Sequence, residues 1–352
     1  MKSNDIKILI KSYNENLAKR QPWYTIKALS NILIENNFNI NIISSENDIE
    51  QNFQGLLIKV WSFKDLISSK KKTNYKLAYL ITFPFYNTSN LSSLKLSDFF
   101  TNWRGLYKII FVAFLPNFFL KKKLGKADIV ITISDRSNSF LKKYVKTIKF
   151  IPFLFNNWDG AKYNNYLKTS KRITLGYFGS PITTRGFSDL LNFFNYASDK
   201  YNDFELKLLT RIERKSLKNA EENYLKLFNK NDNIIVISGF LDRVKLAKEL
   251  QDIDFLILPF KIVLSELPIV VLEALEFGIP LITTKESGIE NLISKKNQKD
   301  VLFIDSLEKS NYPKVLNFIK NHNSKIDFSI VEKSIKKINN EFIKKVNIRC
   351  QN

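Results

Sequence analysis

Apolar residues in this chain fall into two kinds of stretch: compact runs of four to eight, and longer segments where they recur every three or four positions. Residues 6–10 form the first run. Residues 22–36 follow with Trp23, Ile26, Leu29, Leu33 and Ile34 at helical spacing, and residues 38–43 alternate apolar residues with Asn. This predicts a β–α–β opening. Residues 56–60, 77–81, 127–134 and 149–155 predict further strands in the first half. Residues 173–180, 204–209, 234–237, 255–258, 281–283 and 301–305 predict strands in the second. Helical spacing returns in between, at 187–194 and 244–250. It also closes the chain over 328–347, through Val331, Ile335, Ile338, Phe342 and Val346. Strands alternating with helices predict an α/β fold with parallel sheets, here two Rossmann-like domains with a cleft between them. The expected divisions are residues 1–165, residues 166–327 and a final helix at 328–352. A linker rich in Asn, Tyr and Lys lies at 156–170.

Length agrees with this division, since 352 residues exceed one ordinary core and suit two. The lone cysteine, Cys350, excludes an internal disulfide, so a reducing, cytoplasmic setting is expected. No secretory leader is read at the N-terminus, which runs straight into the first strand. The longest apolar run, 109–115, is broken by Pro116 and is far short of the ~20 residues that span a bilayer.

The net charge of +21 is uneven: residues 1–170 carry 26 Lys/Arg against 11 Asp/Glu, a net of +15. Charge alone, without any recognised nucleic-acid-binding module, does not point to nucleic acid. An anionic membrane surface is the other candidate. The aromatic segment 99–123 sharpens it. Its part before Pro116 reads as a helix packed on the sheet, and Phe118 to Lys123 as a contact with an anionic membrane. His322, the sole histidine, is expected at the surface.

The candidate chemistry concentrates at 254–292. A buried strand at 255–258 stops at Pro259, a loop carries Ser265 and Glu266, and Pro268 stands at a helix start. Gly278 and Pro280 end that helix, a strand follows at 281–283, and Ser287-Gly288 turns into a further helix. Ligands of open α/β sheets bind at the carboxyl ends of such strands.

Glu273-Ala274-Leu275, Gly278, Pro280 and Ser287-Gly288-Ile289 resemble the donor-binding signature of family 4 glycosyltransferases (glycosyl transferases group 1), retaining enzymes of GT-B fold. The resemblance implies a nucleotide-sugar-dependent glycosyltransferase of hexosyl type, whose C-terminal helix at 328–352 returns to pack on the first domain. Its acceptor would be a glycan or a lipid-linked intermediate, as in polysaccharide or glycolipid biosynthesis. It would need no metal and no cofactor beyond the sugar nucleotide, and would lie in the cytoplasm or on the cytoplasmic membrane face.

By the same resemblance Glu273 accepts the ribose hydroxyls, Ile269 and Val270 offer helix N–H groups to the diphosphate, and Pro268 at the helix start belongs to the same donor site. Gly179, Ser180 and Arg185 match the segment whose two cations clamp the diphosphate. Ser180 stands at the first cation's place and Arg185 at the second's. Phe240 and Leu241 line the nucleobase. The sugar-facing catalytic carboxylate is Glu266 if the loop takes one residue out, and otherwise Ser265 stands there. The chain departs from the family in having no glycine in the loop 11–21 and no histidine in its N-terminal half. These departures keep a second reading open, a catalytically weakened accessory or binding subunit.

Overall fold

The computed structural model describes residues 5–10, 23–62, 65, 74–85, 91, 94, 106–107, 109–155, 158, 172–210, 232–239, 241–263, 265–293, 298–322 and 325–351. The loop 11–21, Phe240 and all of the linker except Trp158 lie outside them.

The first half is a six-stranded sheet of β1 (Asp5–Leu9), β2 (Asn39–Ile43), β3 (Leu56–Val60), β4 (Lys76–Leu80), β5 (Ile129–Thr132) and β6 (Thr147–Lys149). All its pairs are parallel, in the order β2-β1-β3-β4-β5-β6. The second half holds β7 (Ile173–Gly179), β8 (Phe204–Thr210), β9 (Ile234–Ser238), β10 (Phe255–Leu258), β11 (Leu281–Thr284) and β12 (Val301–Ile304). These are again all parallel, ordered β12-β11-β10-β7-β8-β9. Counted from its own first strand, the second sheet has the 3-2-1-4-5-6 order of the Rossmann fold. The first sheet opens 2-1-3-4-5, the flavodoxin-like order. Both orders reverse direction once, and ligands bind at that reversal. In the second sheet it lies between β7 and β10.

Parallel strands covered on both faces need apolar residues throughout. β10 meets that demand, with all four residues buried. After β10 comes the helix α6 (Ile269–Glu276), one of eight helices longer than a single turn whose bounds are fixed among the described residues. The others are α1 (Trp23–Glu35), α2 (Asn117–Leu124), α3 (Asp135–Leu141), α4 (Phe187–Lys200), α5 (Arg243–Gln251), α7 (Tyr312–Asn321) and α8 (Phe328–Gln351). Pro268 caps α6 at its start. Its end is a Schellman turn: Gly278 at φ 71° donates to Leu275, and Ile279 donates back to Ala274. The turn at Ser287-Gly288, expected to open another helix, instead leads into short 3-10 turns at Lys285–Ser287 and Glu290–Leu292.

The helix α8 belongs to two cores. Val331 and Ile335 enter the cluster built on the second sheet, and Phe342, Ile343 and Val346 enter the cluster on the first. Between them, buried Asn339 accepts from Ile151 N at 2.9 Å and donates to Ile151 O at 3.0 Å. One side-chain amide thus satisfies both polar groups of a buried peptide. Replacing Asn339 with leucine leaves the Ile151 N–H unpaired, while the carbonyl keeps the Phe153 N–H at 3.0 Å, and a loss of about 1–3 kcal/mol is expected. Urea unfolding of the two proteins measures this. An unchanged midpoint would show that the amide pairing contributes nothing.

His322 is not at the surface, as its isolation in the sequence suggested. Its side chain is 7% exposed, lies 3.6 Å from Asp300, and packs against Phe255 and Phe318. The apolar stem of α7 carries the histidine into the core beside β10.

Candidate active site at the switch point of the second sheet

The chain leaves β7 through Gly179, at φ 140°, and turns through Ser180, whose carbonyl accepts from the Tyr177 hydroxyl at 2.6 Å. The turn ends at Gly186, at φ 70°, where a side chain would collide with the Pro259 carbonyl just beyond β10. Thr184 O ties the two loops together, accepting from Lys261 N at 3.0 Å and Ile262 N at 3.1 Å. The loops after β7 and β10 are therefore one packed unit at the reversal of strand order.

Arg185 lies on this unit. Its guanidinium folds over Gly179, in the space a Cβ there would fill, and stands 6.0 Å from the Phe260 ring. No carboxylate pairs with it among the described residues. Gly179 thus does two things: it takes a backbone angle that other residues resist, and it leaves room for the cation.

Beside this unit a pocket opens across the ends of β7, β8 and β9. Phe178, Leu209, Thr210, Gly239 and Leu241 form its floor and one wall. Thr210 Oγ1 is buried there without a hydrogen-bond partner among the described residues. The helix α6 supplies Ile269 and Glu273, α5 supplies Arg243 and Leu246, and Tyr24 comes from α1 of the first domain. Leu241, Ile269 and Glu273 were expected in such a pocket; Pro268 and Val270 flank Ile269 at the helix start.

Glu273 is held by a residue that sequence reasoning missed. Arg243, at the start of α5, bonds Glu273 Oε1 at 2.5 Å, and both side chains are nearly buried. The same guanidinium stacks 4.8 Å from the Trp158 ring, and Trp158 Nε1 donates to Glu276 Oε2 at 2.6 Å. Glu273 and Glu276 are therefore both internal, and α6 has no wet face. Burial pushes the Glu273 carboxyl up from the usual carboxylate range, and Arg243 works against that rise. Thirty residues separate Arg243 from Glu273, and only the strand order brings them together. An arginine opening the helix after the nucleobase turn was the one available hint.

Ser265 and Glu266 sit elsewhere, in the contact between the domains. Glu266 is fully buried, its N–H donates to Thr82 O at 3.3 Å, and its Oε1 accepts from Ser134 Oγ. Ser134 also caps α3, accepting from Ser137 N at 3.3 Å. Next to it, Arg136 bonds Glu286 Oε2 at 2.6 Å and Glu286 O at 3.2 Å, a second tie across the cleft. Burial raises the Glu266 carboxyl pKa, while Arg136, Ser134 and Ser137 oppose the rise. Its Oε2 has no hydrogen-bond partner among the described residues. The two candidates for the sugar-facing position thus differ: Glu266 brings an acceptor oxygen to spare, and Ser265 brings no charge. No cluster of three His, Cys, Asp or Glu side chains suited to a metal ion occurs among the described residues.

Known proteins resemble this arrangement. Residues 172–318 match the family model described as glycosyl transferases group 1. No curated protein matches the chain in sequence. Among solved structures, the pneumococcal O-GlcNAc transferase GtfA in complex with UDP and GlcNAc is 12% identical, with TM-score 0.54 over 84% of this chain. This chain spans only 57% of the length of that enzyme. The N-terminal domain of the Candida albicans trehalose-6-phosphate phosphatase is 11% identical, with TM-score 0.65 over 98% of this chain and 96% of its own. A glycosyltransferase from Rickettsia africae is 11% identical, with TM-score 0.58 over 100% of this chain and 97% of its own. At these identities the structures establish a shared fold. Residues 172–318 thus match the glycosyl transferases group 1 model, within a chain of two-domain GT-B fold.

Proposed function

We propose that this chain transfers a hexosyl group from a nucleotide-diphosphate sugar to a glycan or lipid-linked acceptor, with retention of anomeric configuration. The observation that carries this reading is the placement of Arg185. It is a cation without a carboxylate partner among the described residues, set at the strand-order reversal beside a pocket that ends in the buried Glu273.

In this reading the nucleobase lies against Leu241 and Gly239, and the ribose hydroxyls donate to Glu273, which Arg243 keeps oriented. The diphosphate meets Arg185 and the N–H groups of Ile269 and Val270 at the start of α6, where the helix dipole favours negative charge. Arg185, rather than a metal, then offsets the charge that develops on the leaving diphosphate. The bond from the anomeric carbon to the phosphate oxygen breaks, the acceptor oxygen bonds to that carbon from the same face, and the leaving phosphate takes the acceptor's proton. Glu266, with an acceptor oxygen to spare, stabilises the oxocarbenium charge once the domains part enough to admit the sugar.

The seal between Glu266 and Ser134 favours a second reading, an accessory subunit that binds sugar nucleotides without turning them over. Incubating the chain with a panel of nucleotide sugars, with and without acceptors, separates the two. Hydrolysis or transfer by the wild-type chain, reduced about 10²-fold or more in Glu266→Ala, is expected. Binding without turnover of any donor would establish the accessory role. Full activity in the variant would remove Glu266 from the mechanism.

A further inference from the structure

The segment between β4 and β5 carries a surface that the donor pocket does not use. Phe114 is 69% exposed and Phe118 73%, the two most exposed large apolar side chains among the described residues. Tyr107 and Phe111, at 39% and 48%, precede them. Residues 106–107 and 109–114 are helical, and Tyr107, Phe111 and Phe114 stand at i, i+4 and i+7, the spacing of one helix face. Phe118 follows in the first turn of α2, beyond the break at Pro116. The expectation that residues before Pro116 are simply packed on the sheet is therefore corrected: Leu106, Ile109 and Val112 are buried, while Phe114 stands 69% exposed.

The charge beside this row has one sign. From residue 99 to residue 127 the sequence contains no Asp or Glu, and it contains Arg104, Lys108, Lys121, Lys122, Lys123 and Lys126. Lys121 and Lys122 are exposed, and Lys123 lies 5.4 Å from the Phe119 ring, its stem along the aromatic surface. No helix among the described residues is long and apolar enough to cross a membrane. Aromatic side chains next to lysines suit a helix that lies in the plane of a bilayer. The rings sit at headgroup depth and the ammonium groups reach anionic phosphates.

We propose that Phe114 and Phe118, flanked by Tyr107 and Phe111, dock on an anionic lipid bilayer, with Lys121 and Lys122 as the charge contact. The opposite side of the same segment explains why docking would matter. Leu106 and Ile109 pack into the core cluster of the second domain, while Val112 and Leu120 pack with Phe83 and Phe85. Phe83 follows Thr82, the residue whose carbonyl accepts from Glu266. The docking face is thus the outer side of the cleft wall, and it brings the cleft to the depth of lipid headgroups. Docking itself is independent of the proposed transfer reaction; only the choice of a lipid-linked acceptor rests on it.

The test is flotation of the full chain with phosphatidylcholine vesicles, alone or mixed with phosphatidylglycerol, alongside a donor-hydrolysis assay without lipid. Wild-type chain is expected to float only with the anionic vesicles. Lys121→Gln with Lys122→Gln is expected to weaken binding by about 10–30-fold, a loss that added salt reproduces. Phe114→Ser with Phe118→Ser, both at open positions, is expected to weaken it by at least ~10-fold. Both variants should keep the wild-type rate of donor hydrolysis. Equal flotation with neutral and anionic vesicles, or unchanged flotation of both variants, would overturn the proposal. So would a wild-type dimer, seen by light scattering, that the Phe variant abolishes, because the occupant would then be a second copy. Intact docking with no donor turnover would count against the transferase reading alone.

Discussion

Replacing Arg243 with methionine is expected to destabilise the protein by about 3–5 kcal/mol at neutral pH, because a buried carboxylate loses its countercharge. Glu273 is 6% exposed, and Arg243 is the only cation bonded to it among the described residues. The loss should depend on pH in a defined direction. Burial already holds the Glu273 pKa above 4.5, and without Arg243 nothing strong opposes it. A group whose folded pKa is raised contributes stability that is present below its unfolded value and lost as pH rises through the folded value. The deficit of Arg243→Met against wild type should therefore be small below pH 4.5 and grow as pH climbs. Adding Glu273→Gln should remove the pH-dependent part, since the amide has no charge to strand. Urea unfolding of the three proteins across that range decides the matter. A deficit equal at all pH values would mean that Arg243 acts by packing on Trp158, not by charge.

Arg185→Ala is expected to lower kcat/KM for the donor by about 10²–10³-fold, with little change in stability. Among the described residues the guanidinium has no carboxylate to leave unpaired, and folding loses a partial contact with Phe260. Catalysis loses the charge that balances the leaving diphosphate. Arg185→Lys should recover part of the rate, because a point charge survives while the two-pronged geometry does not. The same logic predicts a milder defect in Gly179→Ala, where the cation stays but is pushed aside. A full rate in Arg185→Ala would place the diphosphate elsewhere and sink the assigned pocket orientation.

Most of the fold was legible in the chain because parallel strands covered on both faces must be almost wholly apolar, as residues 255–258 are. Pro268, Gly278 and Pro280 marked one helix at both ends, because each suits a backbone position that few other residues fit. The candidate site was legible where it is local: Ile269 and Glu273 lie on one helix, and Arg185 stands two residues before another. It was illegible where strand order does the work. Arg243 follows the third strand of its sheet and Glu273 the fourth. No spacing in the sequence says that β9 and β10 lie on opposite sides of β7. Glu266 is the same problem across domains, since its partner Ser134 is 132 residues away. His322 looked exposed because it stands among lysines and asparagines. Its place was decided by Phe318 one turn earlier and by the buried Asp300.

The helix α8 constrains how this molecule can move. It is one continuous rod rooted in both cores, with Val331 and Ile335 at one end and Phe342 and Val346 at the other. Sliding one domain along the other would pull one set of side chains out of its socket. Rotation about the rod's crossing point near Asn339 would not. Motion that parts Ser134 from Glu266 is thus restricted to a swing, smallest near Ile151 and largest at the far rim of the cleft. Any opening of the cleft would have to turn on this rod, as the covers of a book turn on its spine.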